Sequence, residues 1–388
     1  MRRSHLIPIL FFFSLHFTHA QGHSPFAEVE EAINQYQFIK AAENLESLPD
    51  SLKSELTYHN LAARIYRSLG DFKQARRAYQ NCLRLEPHSV QTQIAWAQLE
   101  IGAHNYDQAG KLYLNLIEQD SLNPHFYKLL AYLELKRESN LGAMAAFNKS
   151  LELSERDQEA AVQLILLYLN QQIYPQADSL IRIYRAESPD SKLFHQLELR
   201  SAFSQKQYPR VQVTGQHLLK EFGDSSLLVL RSLGIAYYHL KAFNQADTIL
   251  QLALEISQEP EQIFFYLGMS KLAQNQHDLG QAYLQKAMEA GTSKSMSVYE
   301  LNMALSLDEE GRYGDAISYY QSVYRQTQSP LILYYLARDY DQFYLDKNPA
   351  LNYYRAFLDN AGSEYFQYQD FSRKRIAELK RIKHFKAD

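Results

Sequence analysis

The sequence predicts an all-α fold assembled from repeated helical pairs, and three observations predict it. A small or compact residue returns every 34 to 36 positions, at Ala41, Ala75, Ala109, Ala143, Ala177, Val211, Ala246, Gly280, Ala316 and Ala350. Four residues beyond most of them stands a large side chain, as in Tyr79, Tyr113, Phe147, Ile181, Leu250, Leu284, Tyr320 and Tyr354, the spacing that puts both on one helix face. The prolines avoid helix interiors, where each would cost about 3 kcal/mol. Pro87, Pro189, Pro260 and Pro330 fall at unit junctions, Pro175, Pro209 and Pro349 in the first turn of a predicted second helix, and Pro124 at the start of a first helix.

Taken in order, the chain opens with MRRSHLIPILFFFSLHFTHA, in which Arg2 and Arg3 precede an apolar run from Leu6 to Phe17 and Thr18-His19-Ala20 forms a small-x-small cleavage site. Residues 1–20 therefore read as a secretory signal peptide. The run is short for a membrane span, which needs about 20 apolar residues, and the unbroken apolar stretch fits a mitochondrial transit peptide less well. The residue directly after it is Gln21 and not a cysteine, so a bacterial lipid anchor is not expected. Export implies a periplasmic protein, or alternatively a secreted one. Loss of Arg2 and Arg3 takes the formal charge from -4 to about -6, a poor balance for binding nucleic acid. Cys82 is the one cysteine, so no intramolecular disulfide can form and packing must carry the stability.

From about residue 21 to residue 364 the 34-residue unit recurs about ten times. Twelve to thirteen residues before the periodic small residue lies another apolar segment with a small residue at its centre, Ala63, Ala97, Ala131, Gly234, Gly268 or Ala304, which is the first helix of the pair. A single pair cannot bury its own apolar face, so Gly234 and Ala246 are expected where the two helices of a unit meet and Ala253 where the next unit packs. The unit resembles the tetratricopeptide repeat, W-x2-L-G-x2-Y, then A-x3-F, then A and P. Leu233, Gly234, Tyr237, Phe243, Ala246, Leu250 and Ala253 carry the match in one unit, and Tyr66, Gly70, Asp71, Phe72, Ala75, Tyr79 and Pro87 in another. The resemblance implies a right-handed superhelical solenoid of antiparallel helix pairs. Three units depart most: the first has a short first helix, the sixth carries Val211 and Gly215, and the tenth has the irregular DQFYLDKN. Residues 365–388 form a terminal amphipathic helix expected to cap the stack, its end made basic by Arg373, Lys374, Arg375, Lys380, Arg381, Lys383 and Lys386.

No motif for catalysis stands out. The chain lacks HExxH, a phosphate-cradling glycine loop, GxSxG, GxGxxG and CxxC, and the repeats leave no stretch for a separate catalytic domain. His59, His125, His195, His217, His239 and His277 are scattered without metal-ligand spacing, so no metal and no cofactor is expected. Cys82 stands where most units have alanine and reads as a buried thiol, and Trp96 as a core residue; Asn148-Lys149-Ser150 is a glycosylation sequon inside a predicted helix. The chain reads as a non-enzyme.

Twelve of the 29 tyrosines lie between Tyr313 and Tyr368, but Tyr313, Tyr320, Tyr324, Tyr334 and Tyr354 occupy positions that pack between helices. The resemblance implies an inner face lined by positions 2, 5, 9 and 12 of each first helix. That line gives Asn60, Arg64 and Arg67, then Lys128 and Tyr132, then Arg200. Further on it gives Arg231, Ile235 and Tyr238, Phe265 and Met269, Leu301 and Leu305, and Tyr335 and Asp339, so the lining turns from basic and polar to apolar. The Lys and Asn clamp by which family members hold a terminal carboxylate is not reproduced. Unclaimed apolar surface marks an interaction site, so Arg231, Tyr238, Phe265, Met269, Leu301, Leu305, Tyr335 and Asp339 are the candidate partner-binding residues, with Arg231 and Asp339 flanking. The expected function is a protein-interaction scaffold holding a protein or peptide segment in that groove. The alternative is a glycan- or peptidoglycan-binding module stacking sugars on Tyr238, Phe265 and Tyr335. The basic terminal helix would suit an anionic partner.

Overall fold

The computed structural model describes residues 24–291 and 294–385. The leader expected at residues 1–20 lies outside the described residues. The described chain is helical throughout, without a strand, and none of its helices is long and apolar enough to cross a membrane. It divides into two compact units between Leu167 and Tyr168. The first holds α1 (Ala27–Asn34), α2 (Phe38–Glu46), α3 (Leu56–Leu69), α4 (Phe72–Leu85), α5 (Val90–Gly102), α6 (Tyr106–Gln119), α7 (Pro124–Lys136) and α8 (Asn140–Leu153). Helix α9 (Gln158–Asn170) contains the division. The second unit holds α10 (Tyr174–Glu187), α11 (Lys192–Ser204), α12 (Tyr208–Glu221), α13 (Leu227–His239), α14 (Phe243–Ile256), α15 (Glu261–Ala273), α16 (His277–Ala290), α17 (Met296–Glu309), α18 (Tyr313–Thr327), α19 (Pro330–Phe343), α20 (Asn348–Asn360) and α21 (Phe366–Phe385). Within each unit the helices pack as successive hairpins, α3 on α4 or α13 on α14, each resting on the next.

The periodic small residue is the contact that closes each hairpin. Ala41, Ala75, Ala109, Ala143, Ala177, Val211, Ala246, Ala316 and Ala350 are all fully buried at 0% exposure. A Cβ added to Gly234 would lie 2.6 Å from Cγ of Leu250, and one added to Gly280 would lie 2.5 Å from Cδ2 of Leu272. Glycine is therefore required there by closeness, not by backbone angle. The bulky partners one turn on, among them Tyr113, Phe147, Tyr320 and Tyr354, are fully buried. Pro175, Pro209 and Pro349 sit in the first turns of α10, α12 and α20, and Pro124 and Pro330 open α7 and α19, where the missing N–H is no loss.

The corner between the two helices was not legible in the sequence. In nine hairpins it is made by one residue in the left-handed region: Tyr36, Gly70, His104, Glu138, Gln172, Lys206, Lys241, Asn275 and Gly311, with φ from 56° to 75°. The N–H of the following residue donates to the carbonyl five residues earlier, as from Asp71 to Tyr66 at 2.9 Å and from Ala242 to Tyr237 at 2.9 Å, the Schellman closure of a helix end. Each corner residue stands five positions before the small residue of its second helix. Glycine, the residue that announces such a corner, occupies two of the nine. The tenth hairpin has no such corner; its α19 breaks after Phe343, and Asp341 accepts from Lys347 and from Arg375 instead.

Helix α21 lies against α20, with Leu379 in one cluster with Ala350, Tyr354 and Phe357. Arg375 Nε donates to Asp341 Oδ2 at 2.6 Å and its Nη1 to Glu378 at 2.8 Å, while Lys374 pairs with Asp370. The basic end is thus partly neutralised from within; Arg373, Lys380 and Arg381 remain exposed, and the side chains of Lys383 and Lys386 lie outside the described set.

Two stability tests follow from this packing. Ala246→Leu should lower stability by about 1–3 kcal/mol through overpacking, whereas Asn244→Leu, at an exposed position on the same helix, should change it little; equal denaturation midpoints would refute the hairpin contact. Lys241→Gly, at a corner that strains an L-residue, should raise stability by about 0.5–1 kcal/mol, while Gln251→Gly within α14 should lower it by about 1 kcal/mol, both read by urea unfolding.

Candidate functional site

In the second unit the first helices of neighbouring hairpins touch, α11 with α13, α13 with α15 and α15 with α17, forming one row. Aromatic rings bridge the row. Tyr208 stacks on His239 with centroids 4.0 Å apart and planes 10° apart, and His239 meets Tyr266 at 5.7 Å. Tyr238 meets Tyr266 edge-on at 5.3 Å, Tyr266 touches Phe265 at 5.2 Å, and Phe265 meets Tyr299 at 5.0 Å. Such edge and offset contacts are the favoured geometry of ring quadrupoles.

The strip carries no charge of its own at neutral pH. Burial raises the Tyr238 phenol and pushes Tyr266 up to about 12. Tyr299 is also pushed up to about 12 by burial, with its hydroxyl donating to Glu261 Oε1 at 2.7 Å. Burial, helped by the charge of Lys206, lowers His239 and keeps it neutral.

Of the residues selected from sequence, Phe265, Met269, Leu301, Leu305 and Tyr335 gather on one cluster built on Leu284, Met303, Leu307 and Tyr320. They are half-buried, leaning on the core as well as facing outward. Tyr238 belongs to the adjoining cluster of Leu233, Tyr237 and Leu250 and joins the others through Tyr266 and Phe265. Ile235, also placed on the inner face, is buried at 1% exposure. Arg231 is half-buried with its Nε unpartnered. Tyr335 stacks on Tyr320 at 5.3 Å and has the Arg338 guanidinium over its ring at 5.4 Å.

Asp339 requires a correction. The sequence reading set it on the rim as a flanking charge, but it is 0% exposed, with Arg338 Nε at 3.5 Å and neither carboxyl oxygen hydrogen-bonded among the described residues. Arg338 leans instead toward Asp308. Burial pushes the Asp339 carboxyl up to about 6, against the opposing pull of Arg338. Sequence spacing places a residue on a face but does not show that a neighbouring ring and guanidinium will cover it.

Tyr208, His239, Tyr266 and Tyr299 were missed by the sequence reading. They lie beside the inner-face positions of the repeat, and only their contacts across hairpins reveal them. The first unit differs: Lys128 donates to Asp157 and Glu159, both at 2.9 Å, and Tyr132 donates to Glu159 at 2.6 Å, so its inner-face residues are tied to the next hairpin. Asn60 accepts from the buried Cys82 at 3.2 Å, and burial pushes that thiol up to about 11. Arg200, in the second unit, donates to Asn170 at 3.0 Å.

Residues 66–133 match the family profile described as Tetratricopeptide repeat. Among solved structures, the chain is similar to a tetratricopeptide repeat protein from Parabacteroides merdae, at 16% identity, covering 66% of this chain and 99% of that one with a TM-score of 0.43. It is similar also to PilF of Pseudomonas aeruginosa, at 23% identity over 56% of this chain and 96% of that one, with a TM-score of 0.45. No curated protein matches the sequence.

Asp339 supplies a pH test. Its folded carboxyl titrates at about 6 against an ordinary 3.8, so between pH 4 and pH 6 the folded state holds a proton that the unfolded state has lost, and stability falls as pH rises through that window. Asp339→Asn should raise stability at pH 7 by about 1–3 kcal/mol and flatten the slope between pH 4 and pH 6. A loss of stability that is equal at pH 4 and pH 7 would mean the carboxylate is satisfied in the fold.

Proposed function

We propose that this tetratricopeptide-repeat chain works as a non-enzymatic interaction scaffold that holds a protein segment against the first-helix face of repeats seven to ten. The observation that carries the reading is the uncharged, half-buried strip running from Tyr238 through Tyr266 and Phe265 to Met269, Leu301 and Leu305. A monomeric surface gains little from leaving such rings partly wet, and a partner that completes their burial gains about 25 cal/mol for each Å² removed from water. Rigid aromatic side chains suit this role because few rotamers must be frozen on binding. Arg231, on the same helix as Tyr238, would pair with an acidic group of the segment.

The glycan alternative fares less well. Sugar stacking needs ring faces laid open, whereas Tyr238 and Tyr266 meet at 63° and Tyr335 lies flat against Tyr320 with 13° between planes. A leader at residues 1–20, as expected from the sequence, would direct the scaffold to the periplasm or the secreted space, and Arg373, Lys380 and Arg381 on α21 are the residues that would meet an anionic partner.

Site-specific photo-crosslinking tests the proposal. With benzoylphenylalanine at Met269 or Leu305, exposure to native envelope extract should give discrete adducts that are missing when the probe replaces exposed Asn244 on α14. The same adducts from all three positions, or none from the first two, would overturn it.

A further inference from the structure

A second site lies away from the aromatic strip, between α10, α11 and α12 of the second unit, where a cavity of about 570 Å³ opens beside Ile181 and Glu198. Its origin is a local break in the repeat. At the twelfth residue of the second helix, where other hairpins carry Leu83, Ile117, Leu151, Leu219 and Leu254, this one has Arg185. At the seventh residue of the first helix, where others carry Leu130, Leu164, Leu233 and Leu267, the next has Glu198. Two packing positions have become an ion pair, Arg185 to Glu198, and the cavity stands beside it.

The carboxylates there are already engaged. Glu198 takes Arg185 on Oε2 and Arg210 Nε on Oε1 at 3.1 Å. Asp178 takes Ser201 at 2.8 Å and Arg210 at 3.2 Å on Oδ1, and Gln205 at 2.9 Å on Oδ2. Donor capacity remains on the guanidiniums: Arg185 pairs with Glu198 but its Nε has no acceptor, and Arg182, on the same face of α10, pairs with no carboxylate among the described residues. Three guanidiniums against two carboxylates leave one positive charge in the lining of a cavity whose remaining walls are Pro175, Ile181, Ala186 and the one hydroxyl of Ser179. The guanidinium fork matches the two oxygens of a carboxylate.

We infer that this cavity binds a small monocarboxylate with an apolar body, its carboxylate received by Arg182 and Arg185 and its body by the Pro175, Ile181 and Ala186 wall. A dianion would leave the cavity negatively charged, and an uncharged amphiphile would leave the arginine donors unmet. The volume falls within the range of about 300–1,000 Å³ typical of small-molecule sites.

Titration of the full-length protein with octanoate, 1-octanol and inorganic phosphate tests this, read by thermal shift and calorimetry. Octanoate should bind saturably and raise the melting midpoint. Arg182→Ala should weaken that binding at least tenfold while leaving the ligand-free midpoint unchanged, since Arg182 is exposed and anchors nothing in the fold. Arg325→Ala, at an exposed position on α18, should bind octanoate as the parent does. The inference fails if octanoate does not saturate, if octanol or phosphate binds equally well, or if Arg182→Ala binds octanoate with unchanged affinity.

Discussion

Everything in this fold depends on the two helices of each hairpin approaching so closely that only a small side chain fits between them. At Gly280 a single added carbon would meet Leu272 at 2.5 Å, and at the corresponding alanines no exposure remains. The large residues one turn away fill the space around that contact: Leu250 lies against Gly234 of its own hairpin, and Tyr320 stacks on Tyr335 of the next. The closeness also decides what is left over. The remaining large residues of the first helices cannot enter the hairpin contact, so they line the row where first helices meet, and their rings touch from one hairpin to the next.

The sequence disclosed what repeats and withheld what does not. The small residues, the bulky partners and the proline positions are chemical identities at a fixed period, and the helix pairs follow from them. The corners are a backbone conformation that seven non-glycine residues of six types and two glycines adopt, so no residue type announces them. The strip was legible only as far as position goes. Phe265 and Leu301 do lie together, but their lean on Leu284 and Met303 depends on side chains from neighbouring helices. Asp339 shows the same limit more sharply, since a carboxylate at an inner-face position reads as a rim charge until its cover is seen.

The two units use their inner faces differently. In the first, Lys128, Asp157, Glu159 and Tyr132 form a network in which each polar group already has a partner. In the second, the face is aromatic and aliphatic with little internal polar pairing. Glu100 shows a buried charge fully met: at 0% exposure it would be pushed up by burial, yet donors from Arg76, Trp96 and Asn105 hold it below the usual carboxylate range. Against that example, Asp339 is a buried carboxyl with neither oxygen hydrogen-bonded, and Arg185 a half-buried guanidinium whose Nε lacks an acceptor.

The fixed interval of five residues between each corner and its small residue has a consequence for how this chain can change in length. The irregular periods of 35 and 36 are absorbed between hairpins, in the segments around Gly223 and before Met296, while every corner keeps its interval. One residue added within a corner would rotate the second helix by about 100° about its axis and carry its alanine off the contact. Lineages of this chain can therefore gain or lose residues at the junctions as neutral drift, while the corners act as a reading frame for the helices that follow them.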